Sequence, residues 1–512
     1  MTSLSAIGID LGTTYSVVAA IDDHGSPVIV PNAESERLTP SVVFFDEDAI
    51  VVGQIAKDAA GSNPDQVVMF VKRQMGSPSW FFPYQRQRYT PTDISAMILR
   101  KLKQDAEKYL GRSLSHAVIT VPAYFDDAHR RATIAAGEIA GFRVLDLINE
   151  PTAAAIAFGV DRGNQQETVL IYDLGGGTFD VTIMQVNRSE FRVLATDGDH
   201  QLGGKDFDDA IMRFAVDQFV SEHGFDPSAE PLDAAELRAN AEKAKRELSK
   251  RVRTLLMVKS QGRTSRVELS REQFDALIKN KIDTTLTLVR STLRDAKLAP
   301  DQIDRVLLIG GSTRVLSVRS ALAQFFGKEP DSSVNPDEAV ALGAALMAAK
   351  KAVEVIPEEV LPPVAEKVGG LQITDVTSHS LGIEAFVPGT NQRINSIIIP
   401  RNSPIPTEVS REFVTTLPGQ TAIKMTIYQG EFQDPSLCNP IGDFTLSGLP
   451  GDRPPGRKVR VTIAYGANGV INVTALDVET GRETTTTVSY KVGQSQEQVS
   501  ARRRWLDNTP VV

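Results

Sequence analysis

The sequence predicts a two-part fold: an α/β unit of two similar lobes over residues 1–350, followed by an all-β sandwich over 375–490. Three observations predict it. Up to about residue 350, β-branched runs (VVF at 42–44, AVITV at 117–121, VLIYD at 169–173, VLLIG at 306–310) alternate with amphipathic stretches, as strands layered with helices do. From about 375 the apolar runs shorten and are broken by Pro and Gly, as in INSIIIP, REFVTT, IKMTIYQG, KVRVTIAY and VINVTALD, which is how a sandwich reads. One unit also occurs twice. IGIDLGTT at 7–14 and IYDLGGGT at 171–178 are each an apolar strand ending in Asp, then Leu, glycine and threonine, so two lobes are expected to face each other with a site between them.

A chain of 512 residues is too long for one compact core. Its net charge of −9 leaves no broad positive field to neutralise phosphates along a nucleic acid, so nucleic acid is not an expected partner. The single cysteine, Cys438, has no partner for an intrachain disulfide, which fits a reducing compartment and favours the cytoplasm. The N-terminus lacks the basic and apolar regions of an export signal, and the longest apolar run, 339–349, is too short to span a bilayer. A soluble monomer with no membrane partner is expected.

The stretch 351–374, KAVEVIPEEVLPPVAEKVGGLQIT, is rich in proline and reaches Gly369-Gly370, which reads as an interdomain linker rather than a core segment. Beyond 490, the spacing of Ser495 and Gln498 fits a capping box, so a short helical stub is expected within 491–512.

The repeated unit carries the chemistry. A triphosphate needs donors close to its oxygens, and glycine lets backbone N–H groups approach without a Cβ in the way. Gly12, Thr13 and Thr14 offer this in the first copy; Gly175, Gly176, Gly177 and Thr178 offer it in the second. Asp10 and Asp173 precede them at strand ends, where a carboxylate can hold waters on Mg²⁺ without direct coordination. No GxxxxGK[ST] or GxGxxG competes for a nucleotide. In NEPTAAAIAFG, Pro151 suits the first position of a helix and sets Glu150 at its entrance. Glu242, Lys245 and Ser249 share one helical face beside the apolar stripe of Leu237, Ala241, Ala244 and Leu248; that face either grips a nucleoside or is a solvated surface. VLLIGGSTR ends a strand in a glycine turn, with Arg314 available to stack on a purine, whereas Lys72 has no local signature at all.

IGIDLGTTYS (7–16), VITVPAYFDDAHRRAT (118–133), NEPTAAA (149–155), DLGGGTFDVTI (173–183), LGGKDFD (202–208), EKAKRELS (242–249), GGSTR (310–314) and NPDEAVALGAA (335–345) occur in the order and approximate spacing seen in one family, with LGIEAF (381–386) and NSPIPT (402–407) continuing it. To about residue 490 the chain resembles the DnaK-type seventy-kilodalton heat-shock chaperones. The resemblance implies an actin-like ATPase domain over 1–350, a linker over 351–374 and a peptide-binding sandwich over 375–490. It implies ATP hydrolysis to ADP and phosphate, coupled to binding and release of extended hydrophobic segments of unfolded proteins, in protein folding and the stress response.

Carried over position by position, the resemblance implies that Asp10, Asp173 and Glu150 organise Mg²⁺, mostly through water, with K⁺ a further candidate ion. Gly12, Thr13, Thr14, Tyr15, Gly175, Gly176, Gly177 and Thr178 would surround the phosphates, and Lys72 would reach the attacking water. Glu242, Lys245, Arg246, Ser249, Gly310, Gly311, Ser312, Arg314 and Asp337 would hold the nucleoside side, and Gly203-Gly204 would close over it. Pro122 and Arg130 match positions that relay nucleotide state. Phe386 and Thr416 would arch over a peptide while Ile383, Phe413, Ile423 and Met425 form its pocket, although plain sandwich core is the other reading of those four. A J-domain co-chaperone and a nucleotide-exchange factor are the implied partners.

The sequence departs from that pattern in four places, one of them a shortened segment between Lys72 and the helix expected at 91–99. The long helical lid is missing after the last strand, so fast peptide release is expected. The linker reads Leu371, Gln372, Ile373, Thr374 where the family has leucines, so weak docking between the domains is expected. Asp146 stands where the family has an arginine that receives the J-domain, and a charge reversal there predicts that the usual partner is repelled. Other readings are a filament-forming ATPase, which leaves 375–490 unexplained, a small-molecule kinase on the same ATPase fold, and a peptide-binding module with a decayed ATPase.

Overall fold

A computed structural model describes residues 4–160, 165–360, 362–387, 390, 392–466, 471–487 and 495–512. The repeated unit forms the same structure twice. In the first lobe the strand Ala6–Asp10 pairs in parallel with His116–Val121 and turns back through 11–14 into an antiparallel hairpin with Tyr15–Ile21, which continues to Pro27–Val30. In the second lobe Glu167–Leu174 pairs in parallel with Arg305–Ile309 and turns back through 175–178 into Phe179–Val186, which continues to Glu190–Asp199. Both Asp-led turns therefore lie at the ends of central strands buried on both faces.

Two alanine-rich helices, Glu150–Gly159 and Ala339–Val355, pack together in a core shared by the two sheets. Small residues allow the close approach: a Cβ on Gly343 would lie 1.8 Å from the Ala153 carbonyl oxygen, and one on Gly8 would lie 2.1 Å from the Ala345 amide nitrogen. The apolar run 339–349 is thus a buried core helix, and no helix among the described residues is long and apolar enough to cross a membrane.

The region after 380 forms two four-stranded sheets that enclose one apolar core of Leu381, Ile383, Ile399, Met425, Ile427, Leu446, Val461, Ile463, Val473 and their neighbours. One sheet runs Arg393–Ile399, Leu381–Phe386, Ala422–Gln429, Asn439–Ser447; the other runs Thr407–Val414, Lys458–Tyr465, Ile471–Asp477, Glu483–Thr487.

The stretch expected to be a linker is folded, which corrects the sequence reading. Pro362–Gly369 is a helix whose Val364 and Val368 are buried in the shared core. Gln372–Val376 is a strand added in parallel to Glu190–Asp199, and Pro404–Ile405 pairs with its other side. Weak docking is the expectation from a polar linker, but Gln372 is exposed while its two neighbours, Leu371 and Ile373, reach the shared core as alternation in a strand dictates, and Val376 at the strand's far end is buried there as well. Backbone hydrogen bonds supply the rest, including Gln372 N–H to the Ser189 carbonyl at 2.7 Å.

The sandwich also touches both lobes directly. Ser378 Oγ donates to the Ala123 carbonyl at 2.5 Å, Thr196 N–H donates to Asn402 Oδ1 at 3.0 Å, and Arg401 pairs with Asp197 at 3.4 Å and with Asp295.

The C-terminal helix forms over Gln496–Asp507 with the expected Ser495–Gln498 capping box. Its packing was not legible in the sequence. Val499, Leu506 and Val511 are buried in the first-lobe core, Trp505 stands 5.6 Å from Tyr89, and Arg100 pairs with Asp507 at 2.6 Å. Residues 510–512 then add to the edge strand Ile50–Val52 through three backbone bonds: Ile50 N–H to Pro510, Val52 N–H to Val512, and Val512 N–H to Ile50, at 2.8–2.9 Å.

Candidate active site

The two Asp-led turns meet across a cleft of about 1260 Å³ between the lobes. Glycine is required where they touch. A Cβ on Gly176 would fall 1.8 Å from Thr14 Oγ1, one on Gly177 would fall 2.4 Å from the Thr13 side chain, and one on Gly203 would fall 2.6 Å from the Gly177 amide. The turn at Gly203-Gly204 is held against the second glycine turn by Gly204 N–H to the Gly175 carbonyl (3.0 Å) and Lys205 N–H to the Gly176 carbonyl (2.8 Å). On the first lobe Ser41 Oγ donates to the Gly12 carbonyl at 2.8 Å and fixes that turn.

The charged floor of the cleft comes from strand and helix ends. Lys72, Glu150, Asp173 and Asp180 are buried, and Asp10 accepts a hydrogen bond from Thr120 Oγ1 at 3.0 Å. Lys72 Nζ donates to Glu150 Oε1 at 2.5 Å. Glu150 is the first residue of its helix and Pro151 the second, so the helix starts one residue earlier than the proline's preference suggests. Four carboxylates thus surround one ammonium. Desolvation, followed by repulsion from Glu150, pushes the Asp10 carboxyl from the ordinary 3.8 up to about 7, and the same two causes push Asp180 up to about 7. Asp173 rises as well, through burial first and then Glu150, Asp180 and Asp10. Burial opposes the charge on Lys72, but Glu150 and Asp10 outweigh it and its pKa goes up.

This donor set suits a hard divalent cation. The donors are oxygens, their negative charge exceeds the one lysine available, and Thr13 Oγ1 and Asp180 Oδ2 are buried without a hydrogen-bond partner. Among the described residues no three acidic, histidine or cysteine side chains converge as a metal cage. A cation here would take its remaining oxygens from water and ligand.

The opposite wall of the cleft is polar and charged. Glu242, Lys245, Arg246 and Ser249, on and just after the helix Pro231–Leu248, face Gly310, Gly311, Ser312, Arg314 and Asp337. Ser312 Oγ donates to the Gly175 carbonyl at 2.8 Å, Lys245 pairs with Asp208 at 2.8 Å, and Arg314 pairs with Asp337 at 2.5 Å. Asp10, Gly12, Thr13, Thr14, Tyr15, Gly175, Gly176 and Thr178 line the same cleft, while Gly177, Gly203 and Gly204 support it from behind.

Four residues escaped the sequence reading. Lys57 closes the mouth, pairing with Glu242 at 2.8 Å and donating to the Tyr15 hydroxyl at 3.1 Å, with no local signal to reveal it. Asp180 was detectable, because a hairpin that starts at Asp173 sets it directly opposite. Asp208 neutralises Lys245, and Arg73 follows Lys72 in the same helical turn.

The other expected positions are spread more widely. Arg130 donates to Asn149 Oδ1 at 2.5 Å, and Asn149 Nδ2 donates to Asp375 Oδ2 at 2.6 Å, so the residue next to Glu150 holds the linker strand. Asp146 is not bare: it pairs with Lys351 at 3.1 Å, and burial raises its pKa despite that lysine. In the sandwich Ile383 and Met425 belong to the core, Phe413 and Ile423 pack half-buried on it, and Phe386 and Thr416 are exposed. A family model described as Hsp70 protein matches residues 6–504.

Proposed function

The chain belongs to the Hsp70 family, and from that premise we propose that it hydrolyses ATP in the cleft between its lobes and uses the nucleotide state to bind and release extended apolar peptide on its sandwich. One observation carries the reading: two Asp-led glycine turns from duplicated lobes converge on a single cleft lined by Lys72 and the carboxylates of Asp10, Glu150 and Asp173. The backbone N–H groups of 12–14 and 175–178 are suited to phosphate oxygens. Mg²⁺ bound with the nucleotide would offset charge on the β- and γ-phosphates and draw electron density toward the leaving oxygen.

The protein residues orient and exclude. Lys72 sits where its ammonium, held by Glu150, can bond a γ-phosphate oxygen and the incoming water. Glu150, Asp10 and Asp173 would hold the cation, mostly through water. Asp180 lies opposite Asp173 in the hairpin, and its charge adds to the field that raises the Asp173 carboxyl. Catalysis then lies mainly in positioning and charge stabilisation.

Coupling is read along Glu150, Asn149 and Asp375. A ligand that shifts Glu150 also shifts the asparagine holding the linker strand, and the sandwich follows through Thr377–Ser380. On the sandwich, an extended peptide would gain main-chain bonds plus a buried side chain beside Phe386 and Thr416. Unfolded chains, a J-domain co-chaperone and an exchange factor are the proposed partners. The Asp146–Lys351 pair leaves the J-domain position locally neutral, so a partner chosen for an exposed arginine would bind poorly.

The test is ATP turnover and binding of a labelled apolar peptide, measured on wild type and Lys72→Ala. Turnover lost with peptide binding kept supports both halves. Calorimetry that detects no adenine nucleotide binding in the presence of magnesium would sink the reading.

A further inference from the structure

We propose that Arg73 is a positioning residue that locks Lys72 to the second lobe, making lobe closure and the placement of that lysine a single event. The proposal rests on the ATPase reading above and extends it to a residue outside the cleft lining. The helical turn Val71–Gln74 carries both side chains into different surroundings. Lys72 lines the cleft. Arg73 lies behind the second glycine turn with its side chain 7% exposed, and it does not line the cleft.

Its guanidinium makes three directed contacts, all to the other lobe. Nε donates to the Gly177 carbonyl at 2.7 Å, Nη1 donates to Asp206 Oδ1 at 3.3 Å, and Nη2 donates to Asp206 Oδ2. Asp206 is itself tied to the phosphate turns. Its Oδ2 accepts the Gly203 N–H at 2.8 Å and caps the helix Gly204–His223, whose first two amides hold the Gly175 and Gly176 carbonyls. One planar fork from the first lobe therefore grips both the glycine turn and the closing turn of the second. Rotation of either lobe away from the other must break this fork or drag the turn that bears Lys72.

Lysine cannot replace such a fork, because an ammonium is a point charge without the paired donor geometry. A catalytic group displaced by about 1 Å loses roughly a hundredfold in rate, so the defect should appear in kcat rather than in affinity.

The experiment is single-turnover and steady-state ATP hydrolysis, with calorimetry of ADP binding and a thermal melt, on wild type, Arg73→Ala, Arg73→Lys and Asp206→Asn. Arg73→Ala should lower kcat by about tenfold to a hundredfold, the range for a lost charge-assisted contact, while KM and the ADP Kd move by less than about threefold. Arg73→Lys and Asp206→Asn should show the same split at smaller size. Should Arg73→Ala fail to fold, Arg73→Lys carries the measurement. Adding Arg73→Ala to Lys72→Ala should change the residual rate by less than about twofold, since the effect runs through Lys72. A scaffold role would instead lower melting temperature and affinity together and multiply with Lys72→Ala, which overturns the proposal. So would unchanged kcat in Arg73→Ala beside an active wild type. An inactive wild type would bring down the ATPase reading itself, and this inference with it.

Discussion

Two segments join the two lobes by adding to their sheets, and they do so in different places and on different terms. The linker strand Gln372–Val376 joins the second lobe beside Glu190–Asp199, and its Asp375 is bonded to Asn149, the neighbour of Glu150. Residues 510–512 join the first lobe at the edge strand Ile50–Val52, and their helix rests on the core of that lobe, with its contacts to Tyr89, Asp93 and Arg100. Both joints rest on backbone bonds plus a few buried apolar side chains, so neither needs a long apolar sequence. The difference is wiring. A nucleotide that moves Glu150 would act on the linker joint through one hydrogen bond, Asn149 to Asp375, whereas the C-terminal joint meets the cleft only through the chain from Val52 to the lining residue Gln54 and, among the described residues, makes no bond to the cleft's carboxylates. The linker joint should respond to nucleotide, and the C-terminal joint should stay closed in every nucleotide state.

The harshest way to break that contrast is Val376→Asp. Val376 is 4% exposed, in the core shared with the helix Ala339–Val355, and an unpaired carboxylate there costs about 3–5 kcal/mol. Amide exchange over 372–376 should lose its protection with and without ATP, while protection over 496–507 stays within twofold. Loss at both segments together would show one cooperative joint and abolish the comparison.

Leu506→Ala attacks the other side. Leu506 is 1% exposed, and truncating a buried leucine costs about 2–5 kcal/mol. The expected outcome is faster exchange over 496–512 and a shift in Trp505 fluorescence as its contact with Tyr89 is lost, with ATP turnover still at least half of wild type. A collapse of turnover would mean that the C-terminal joint, too, serves the nucleotide site.

A pH series sharpens the contrast without mutation. Asp375 is buried in the docked strand, and burial raises its pKa above 3.8 even though Val376 N–H, Arg130 and Asn149 favour the charged form. A carboxyl whose pKa is higher docked than free makes docking strongest when it is protonated. Docking should therefore weaken as pH rises from the ordinary 3.8 through the docked value. Exchange over 372–376, corrected for its intrinsic rate, should quicken across that window relative to 496–507, and the opposite slope would contradict the assignment.

These contrasts also mark what the sequence made legible. The duplicated strand-and-turn unit was readable because phosphate-sized turns constrain local residues: Asp10 and Asp173 must end strands, and Gly176 and Gly177 must leave room for Thr13 and Thr14. The capping box at Ser495 was local for the same reason. Residues whose role is set by what lies opposite were not readable. Lys57 sits on a short helix with no pattern of its own and meets Glu242 only across the gap between the lobes. The linker was misread for a related reason: composition marks proline and glycine, but whether Gln372 faces water or core depends on which strand accepts it.

That point sets the smallest prediction, Gln372→Leu. If linker polarity governed docking, restoring a leucine would add about 1.5–3 kcal/mol, the worth of one buried side chain. Gln372 is exposed in the docked strand, opposite Glu190, and its contribution comes from its backbone N–H to Ser189. A leucine there keeps the N–H and leaves its side chain in water, so the change in docking should stay within about 0.5 kcal/mol. Exchange protection over 372–376 should match wild type to within about twofold, since 0.4 kcal/mol is a factor of about two. A tenfold gain would mean that residue 372 turns inward in a state more tightly docked than this one, and the linker joint would then be limited by side chains rather than by its backbone ladder.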